Sequence, residues 1–150
     1  MAQQNYDGTA YLVYAATTAP TNAFNKDDAN YTVVGELVNT NYDRIRAAIE
    51  KSSKQDGDES TFIAGRRNRK FNFSARFDHT EDNGQAKVVD AYESATGVVY
   101  LLISTGVAGD LAFHGSGIVT GAPVTVNDGA VSEVSFTVQM SGVVTETTLT

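Results

Sequence analysis

The 150-residue chain contains no cysteine, so disulfides, thiol chemistry and cysteine-ligated zinc or iron–sulfur centres are excluded. It has no tryptophan and only two prolines. Basic residues are scarce and unevenly placed: nine of the 11 Lys and Arg lie between Lys26 and Lys70, and none follows Lys87. The last 63 residues, 88–150, are therefore purely acidic. A net charge of −7 argues against generic binding to a phosphate backbone, which needs a basic face. The longest apolar run, Val98 to Ile103, is far too short to span a membrane, so no membrane insertion is expected. Met1 to Asn5 carries no positive charge ahead of an apolar stretch, which predicts a soluble protein made in a reducing cytoplasm. The sequons at Asn30 and Asn72 carry little meaning without a secretion signal.

What is present suits one compact domain. Hydrophobic residues make up 41%, enough for a core, and 13 glycines point to many turns. Thr9–Ala16 and Tyr31–Val38 read as strands, separated by a polar loop or arm over 17–30. The segment after Tyr42 is ambiguous. Tyr42, Ile45 and Ile49 fit a helical face, while Ile45, Ala47 and Ile49 alternate with Arg44, Arg46 and Glu50 as in a half-buried strand. A long polar loop is expected over 51–65. Phe71, Phe73, Ala75 and Phe77 then alternate with Asn72, Ser74, Arg76 and Asp78, the clearest strand signal in the chain.

One helix is expected over 84–95, capped by Asp82 or Asn83 and closed by Gly97, with Ala86, Val89 and Tyr92 on its apolar face and Val88 beside them. The remainder reads as β: a buried strand from Val98 to Ser104, glycine-interrupted strands over Leu111–Thr120 and Val124–Asn127, and a turn at Asn127-Asp128-Gly129. Val134, Phe136, Val138 and Met140 alternate with Glu133, Ser135, Thr137 and Gln139. Many short strands with a single helix indicate a mainly β sandwich or barrel.

The search for chemistry finds little. Ser116, His114 and Asp110 invite comparison with a catalytic triad, but Gly115-Ser116-Gly117 is not a nucleophile elbow, and a glycine-rich β-bend is the better reading. Gly115, Gly117 and Gly121 have the wrong spacing for a dinucleotide fingerprint. Counting a calcium loop from Asp56 puts Arg67 at position 12, where a bidentate Glu belongs; counting from Asp78 puts Asn83 at position 6 in place of Gly. No catalytic residue, metal ligand or cofactor site is expected. Arg66, Arg67, Arg69 and Lys70 form a basic cluster, best read as an electrostatic handle for an acidic protein neighbour.

Four stretches together resemble the major tail proteins, or tail tube proteins, of tailed bacteriophages. They are Tyr11-Leu12-Val13-Tyr14; Arg44 to Ser53 followed by Asp56-Gly57-Asp58-Glu59; Thr61 to Arg67 entering the strand Lys70–Asp78; and Gly115 to Thr120 with Val134 to Gly142. The resemblance spans most of residues 8–145. It implies that Arg44 to Glu50 is a strand and that the fold is a β-sandwich flanked by one helix. It implies six subunits per ring, sheets joined into a continuous inner barrel, and rings stacked into a tube in the virion tail that passes double-stranded DNA, assembled in the host cytoplasm. The implied partners are further copies of the chain, with tape measure, tail terminator and baseplate or tip proteins.

On that reading Glu133, Ser135, Thr137 and Gln139 are candidates to line the lumen. Lys51, Lys54, Asp56, Asp58, Glu59, Arg66, Arg67 and Arg69 are candidates for contacts between subunits or rings. Rival expectations are a type VI secretion-like tube protein, a carbohydrate-binding β-sandwich adhesin, which the lack of tryptophan weakens, and an enzyme on a jelly-roll scaffold, which has no catalytic constellation to support it.

Overall fold

The computed structural model describes residues 11–35, 37–52, 57, 59–77, 84–126, 129 and 132–150. It contains strands β1 (Leu12–Ala16), β2 (Thr32–Val33), β3 (Leu37–Glu50), β4 (Phe62–Arg76), helix α1 (Gly84–Glu93), and strands β5 (Val98–Ser104), β6 (Leu111–Gly121), β7 (Val124–Thr125) and β8 (Glu133–Thr148). All pairings are antiparallel, in the order β2-β1-β5-β6-β8-β4-β3, with β7 also on β8. The ambiguous segment after Tyr42 is strand, part of the long β3.

Strand β8 organises the sheet. Its first part pairs with β4, from Glu133 opposite Arg76 to Gln139 opposite Lys70, and its later part pairs with β6 as far as Thr148 opposite Leu111. The period-2 pattern of the sequence is obeyed: Val134, Phe136, Val138 and Met140 are buried. On β4, Phe71, Phe73 and Ala75 are buried on the same face. Burial of a large side chain such as Phe71 or Phe136 contributes roughly 1.5–3 kcal/mol each. Strand β6 approaches β8 too closely for a side chain at Gly117, where a Cβ would lie 2.6 Å from the Gln139 carbonyl oxygen. The glycine-rich stretch is therefore a packing device.

The sheet curls around one core. Tyr42 of β3 stacks on Phe71 with ring centres 4.4 Å apart and meets Phe113 of β6 at 5.5 Å, although β3 and β6 are not sheet neighbours. The core adds Val13 and Ala15 of β1, Val99, Leu101 and Ile103 of β5, and Val88 and Ala91 of α1, which lies over β1, β5 and β6. The sheet does not close: β2 and β3 remain its two borders.

The helix sits where the sequence puts it, but its buried face differs. Gly84, Gln85, Val88 and Ala91 face the body, while Val89 and Tyr92 are exposed. The cause is Gln85. Its side-chain amide is buried and donates to the carbonyls of Gly35, at 2.9 Å, and Arg76, at 2.8 Å. This fixes the rotation of α1 and ties the approach to β3 to the end of β4. At the other end Gly97 adopts φ 68°, as expected of a closing glycine, and its N–H donates to Ser94 Oγ. The proposed caps Asp82 and Asn83 lie outside the described residues.

Other boundaries also differ. The strand expected over Tyr31–Val38 splits into β2 and the start of β3, because the chain folds inward at Val34, which is buried and donates its N–H to Val13. The loop expected over 51–65 is shorter, since Phe62 to Gly65 already belong to β4. Strand β4 ends at Arg76, so Phe77 is exposed and not part of the buried row.

Residues 17–30 fold back as a packed loop. Tyr31 Oη donates to the Ala23 carbonyl at 2.7 Å, and Thr150 donates its N–H to Phe24 at 3.0 Å. Phe24 and Tyr14 then cover a second apolar cluster of Ala16, Tyr31, Leu102, Ala112 and Leu149. Burial pushes the Tyr31 phenol well above its ordinary range. Backbone N–H groups of Asn22 and Asn30 hold the Asp28 carboxyl below its ordinary value of 3.8. His114 packs edge-on to Phe24 at 5.7 Å, and its buried Nε2 has no hydrogen-bond partner among the described residues.

Two predictions follow from these packing arrangements. Gln85→Ala strands two carbonyls without donors and should lower stability by about 2–3 kcal/mol in a urea titration. Desolvation holds His114 below its ordinary pKa of 6.5, so the folded state favours neutral imidazole. The corresponding stability is complete above pH 6.5 and is lost as pH falls below it, because the unfolded chain takes up the proton first. Melting followed between pH 7.5 and 5 should therefore show a smaller acid-induced drop in His114→Leu than in the wild type.

Candidate assembly site

The two sheet borders differ greatly in length. Strand β2 is two residues long, whereas β3 is 14 and carries no neighbour on its outer side among the described residues. Strand β4 pairs with β8 only from Lys70 to Arg76, so Phe62 to Arg69 pair with β3 alone. Residues 44–50 and 62–69 thus form a two-stranded ribbon projecting from the body.

The ribbon's composition does not suit water. Ile45 is 63% exposed, Ile49 51%, Phe62 57% and Ile63 47%. Ile49 lies opposite Ile63, and Ala48 opposite Ala64. A two-stranded ribbon without a third strand or a core beneath it is marginal alone, and unpaired strand edges invite pairing with another chain.

Charge adds a further constraint. Arg44 lies opposite Arg69, and Arg46 opposite Arg67; like charges facing across a ladder destabilise it. The first pair is relieved within the chain: Arg44 bonds Glu146 at 3.0 Å and lies 5.3 Å from the Tyr42 ring centre, and Arg69 donates to the Gly142 carbonyl at 3.4 Å. Among the described residues, Arg46, Arg66 and Arg67 have no ion pair. Lys51 and Glu59 are exposed near the tip, where the Lys51 N–H donates to the Thr61 carbonyl. Lys54, Asp56 and Asp58 lie outside the described residues.

The other candidate surface is the polar side of β3, β4 and β8. Glu133, Ser135, Thr137 and Gln139 lie together on it, in register with Arg76, Ser74, Asn72 and Lys70 of β4. Asn41 and Asp43 of β3 continue the rows. Asn41 and Asn72 each donate a side-chain amide N–H to Asp43, and the Gln139 amide bonds the Asn68 side chain and the Arg69 carbonyl. Two acids, Asp43 and Glu133, thus share this face with two bases, Lys70 and Arg76, and the charge balances.

Sequence reading found the four β8 residues but missed Asp43, Asn41, Lys70 and Arg76 beside them, because cross-strand register is not visible in a linear pattern. It also missed the exposure of Ile45, Ile49, Phe62 and Ile63; the 2-residue alternation from Arg44 to Glu50 was the available signal. Of the triad considered above, Asp110 accepts a hydrogen bond from Thr105 Oγ at 2.7 Å, and His114 Nε2 is unbonded, so no relay is assembled. No group of three metal-ligating side chains occurs among the described residues.

No family model matches the chain, and no curated protein matches it by sequence. Solved structures do match. A chain from the tail of an empty gene transfer agent particle, refined with six-fold symmetry, superposes with a TM-score of 0.70 at 12% identity, over 95% of this chain and 99% of that one. The SPP1 tail tube matches with a TM-score of 0.75 at 11% identity, over 95% and 78% of the two chains. The cap that terminates the tube of the anti-feeding prophage matches with a TM-score of 0.62 at 12% identity, over 99% and 94%. Nearly the whole chain, with its curled antiparallel sheet and single flanking helix, has the fold of the tail tube proteins.

Proposed function

We propose that this chain is the repeating structural subunit of a phage-type tail tube, six copies forming each ring and the rings stacking into a hollow tube. The observation that carries this reading is the open sheet. Its long β3 border and apolar ribbon are incomplete in one copy, and a neighbouring copy supplies what they lack, as the closure of a ring requires. The likeness in fold to the gene transfer agent tail and the SPP1 tail tube supports the same reading. The subunit's role is structural, not enzymatic.

In such a tube the polar face of β3, β4 and β8 lines the bore, with Glu133, Ser135, Thr137 and Gln139 at its surface. Duplex DNA carries one negative charge per about 1.7 Å, and a cationic wall would bind it by releasing counterions. A charge-balanced polar wall lets the polyanion pass. The ribbon and its loop, including Lys51, Lys54, Asp56, Asp58, Glu59, Arg66, Arg67 and Arg69, contact adjacent subunits or rings. Cap and baseplate components meet the tube's ends, a tape measure protein occupies it during growth, and the assembled tail belongs to a virion built in the host cytoplasm.

A second reading is a tube of a contractile injection system, favoured by the likeness to the anti-feeding prophage cap and baseplate chains. Particles isolated from producing cells separate the two, since only the phage-type tail is joined to a DNA-filled head.

Two outcomes are expected. Electron microscopy of the concentrated, purified protein should show six-fold rings or tubes; a strict monomer at every concentration would overturn the proposal. Amide hydrogen exchange should be fast over residues 44–50 and 62–69 in the monomer, which has no third strand there, and at least tenfold slower in the assembled form. Equal exchange in both states would remove the ribbon from the interface.

A further inference from the structure

The ribbon's unpaired arginines call for an acidic, partly apolar surface on another copy. Residues 44–70 contain eight Lys and Arg against four Asp and Glu, a net charge of +4, so the rest of the chain carries −11. Most carboxylates of the described body are already engaged. Asp28 accepts from backbone and side-chain N–H groups. Asp43 is held by Asn41 and Asn72. Asp110 accepts from Thr105, Asp27 pairs with Lys26, and Glu146 pairs with Arg44.

The outer face of α1 is different. Asp90 and Glu93 are exposed and carry no ion pair among the described residues. They share that face with Val89, since Glu93 lies four residues after Val89 and three after Asp90, the spacings at which helical side chains meet. Tyr92 flanks it, 48% exposed. The face is unused by its own fold because Gln85 turns Val88 and Ala91 toward the body. The same stretch is strongly acidic in sequence: residues 78–93 contain five Asp and Glu against Lys87 alone, a net charge of −4.

We propose that the ribbon of one copy seats on the outer face of α1 of a second copy, with Arg46 and Arg67 meeting Asp90 and Glu93, and the exposed Phe62, on the same side of the ribbon, covering Val89 and Tyr92. The two surfaces match in both respects that decide such a contact. Each sets exposed apolar side chains beside charges, and the charges are opposite. Seating the ribbon offsets the repulsion between Arg46 and Arg67 and removes apolar area from water. It also gives the tube a directional contact, ribbon to helix, that is heterologous and so propagates without self-closing between two copies. This proposal deepens the tail tube reading and rests on it.

The test is a charge exchange between the two surfaces. Arg46→Glu with Arg67→Glu, and separately Asp90→Arg with Glu93→Arg, should each lose sedimenting rings and tubes while retaining the wild-type circular dichroism and melting point, because all four side chains are exposed. Combining the four substitutions in one chain should restore assembly. A helix variant that forms tubes as well as the wild type does, or a combined variant that stays unassembled although folded, would overturn the ribbon–helix contact and leave the tail tube reading standing. Failure of the wild type itself to assemble would overturn both.

Because the chain has no cysteine, a second readout has no background. Arg67→Cys and Glu93→Cys chains, mixed, assembled and treated with a short bis-maleimide, should give a cross-linked dimer. Arg67→Cys mixed with Glu133→Cys should not. A dimer from the second mixture alone would also overturn the contact.

Discussion

Every backbone amide and carbonyl along the outer side of β3 needs a partner, and one copy of the chain does not provide it. The body cannot fold back to cover this border, because the curl of the sheet is already committed to the core built by Tyr42, Phe71 and Phe113. Strand β8 runs beside β4 only as far as Lys70, opposite Gln139, so the outer part of the hairpin has no third strand among the described residues. The open border is thus a consequence of how the core is closed elsewhere, and in the proposed tube a neighbouring copy covers it.

The distribution of charge follows the same division. Cations gather on the ribbon, where they are repelled by one another, and anions gather on the body. Where the two kinds meet on the polar face of β3, β4 and β8 they are interleaved by strand register, so the face as a whole neither attracts nor repels a polyanion. A chain with net charge −7 can in this way present a basic ribbon, an acidic helix face and a charge-balanced polar sheet face on three different surfaces.

Much of this was legible in the sequence. The alternations on β4 and β8 reflect a strict 2-residue period with one side buried, which tertiary context reinforces. The helix was visible for the same reason, but its buried face was not. Val89 and Tyr92 are the more hydrophobic choice by composition, and the decision went to a glutamine whose amide satisfies two carbonyls that are remote in sequence. The ribbon hid for a related reason: Ile45 and Ile49 look like core residues in any linear reading, and only the register with β4, and the absence of β8 beside it, shows that nothing among the described residues covers them. The polar face was half legible, since β8 reveals its own side chains but not the lysine and arginine that β4 places next to them.

The two hydrogen bonds of Gln85 carry a consequence for the whole tube. They grip the backbone just before β3 begins and where β4 ends, which is the root of the hairpin, while the other end of that hairpin stands free. The free part of the hairpin, residues 44–50 of β3, is about 7 residues long, on the order of 23 Å at the usual strand rise, and the buried amide is one of the contacts that hold its base. A small rotation at the root moves the tip by several times the displacement at the pivot. In the proposed tube every copy repeats the same angle, so an error in it is multiplied along the stack, and the straightness and pitch of the filament follow from a side chain buried inside the subunit.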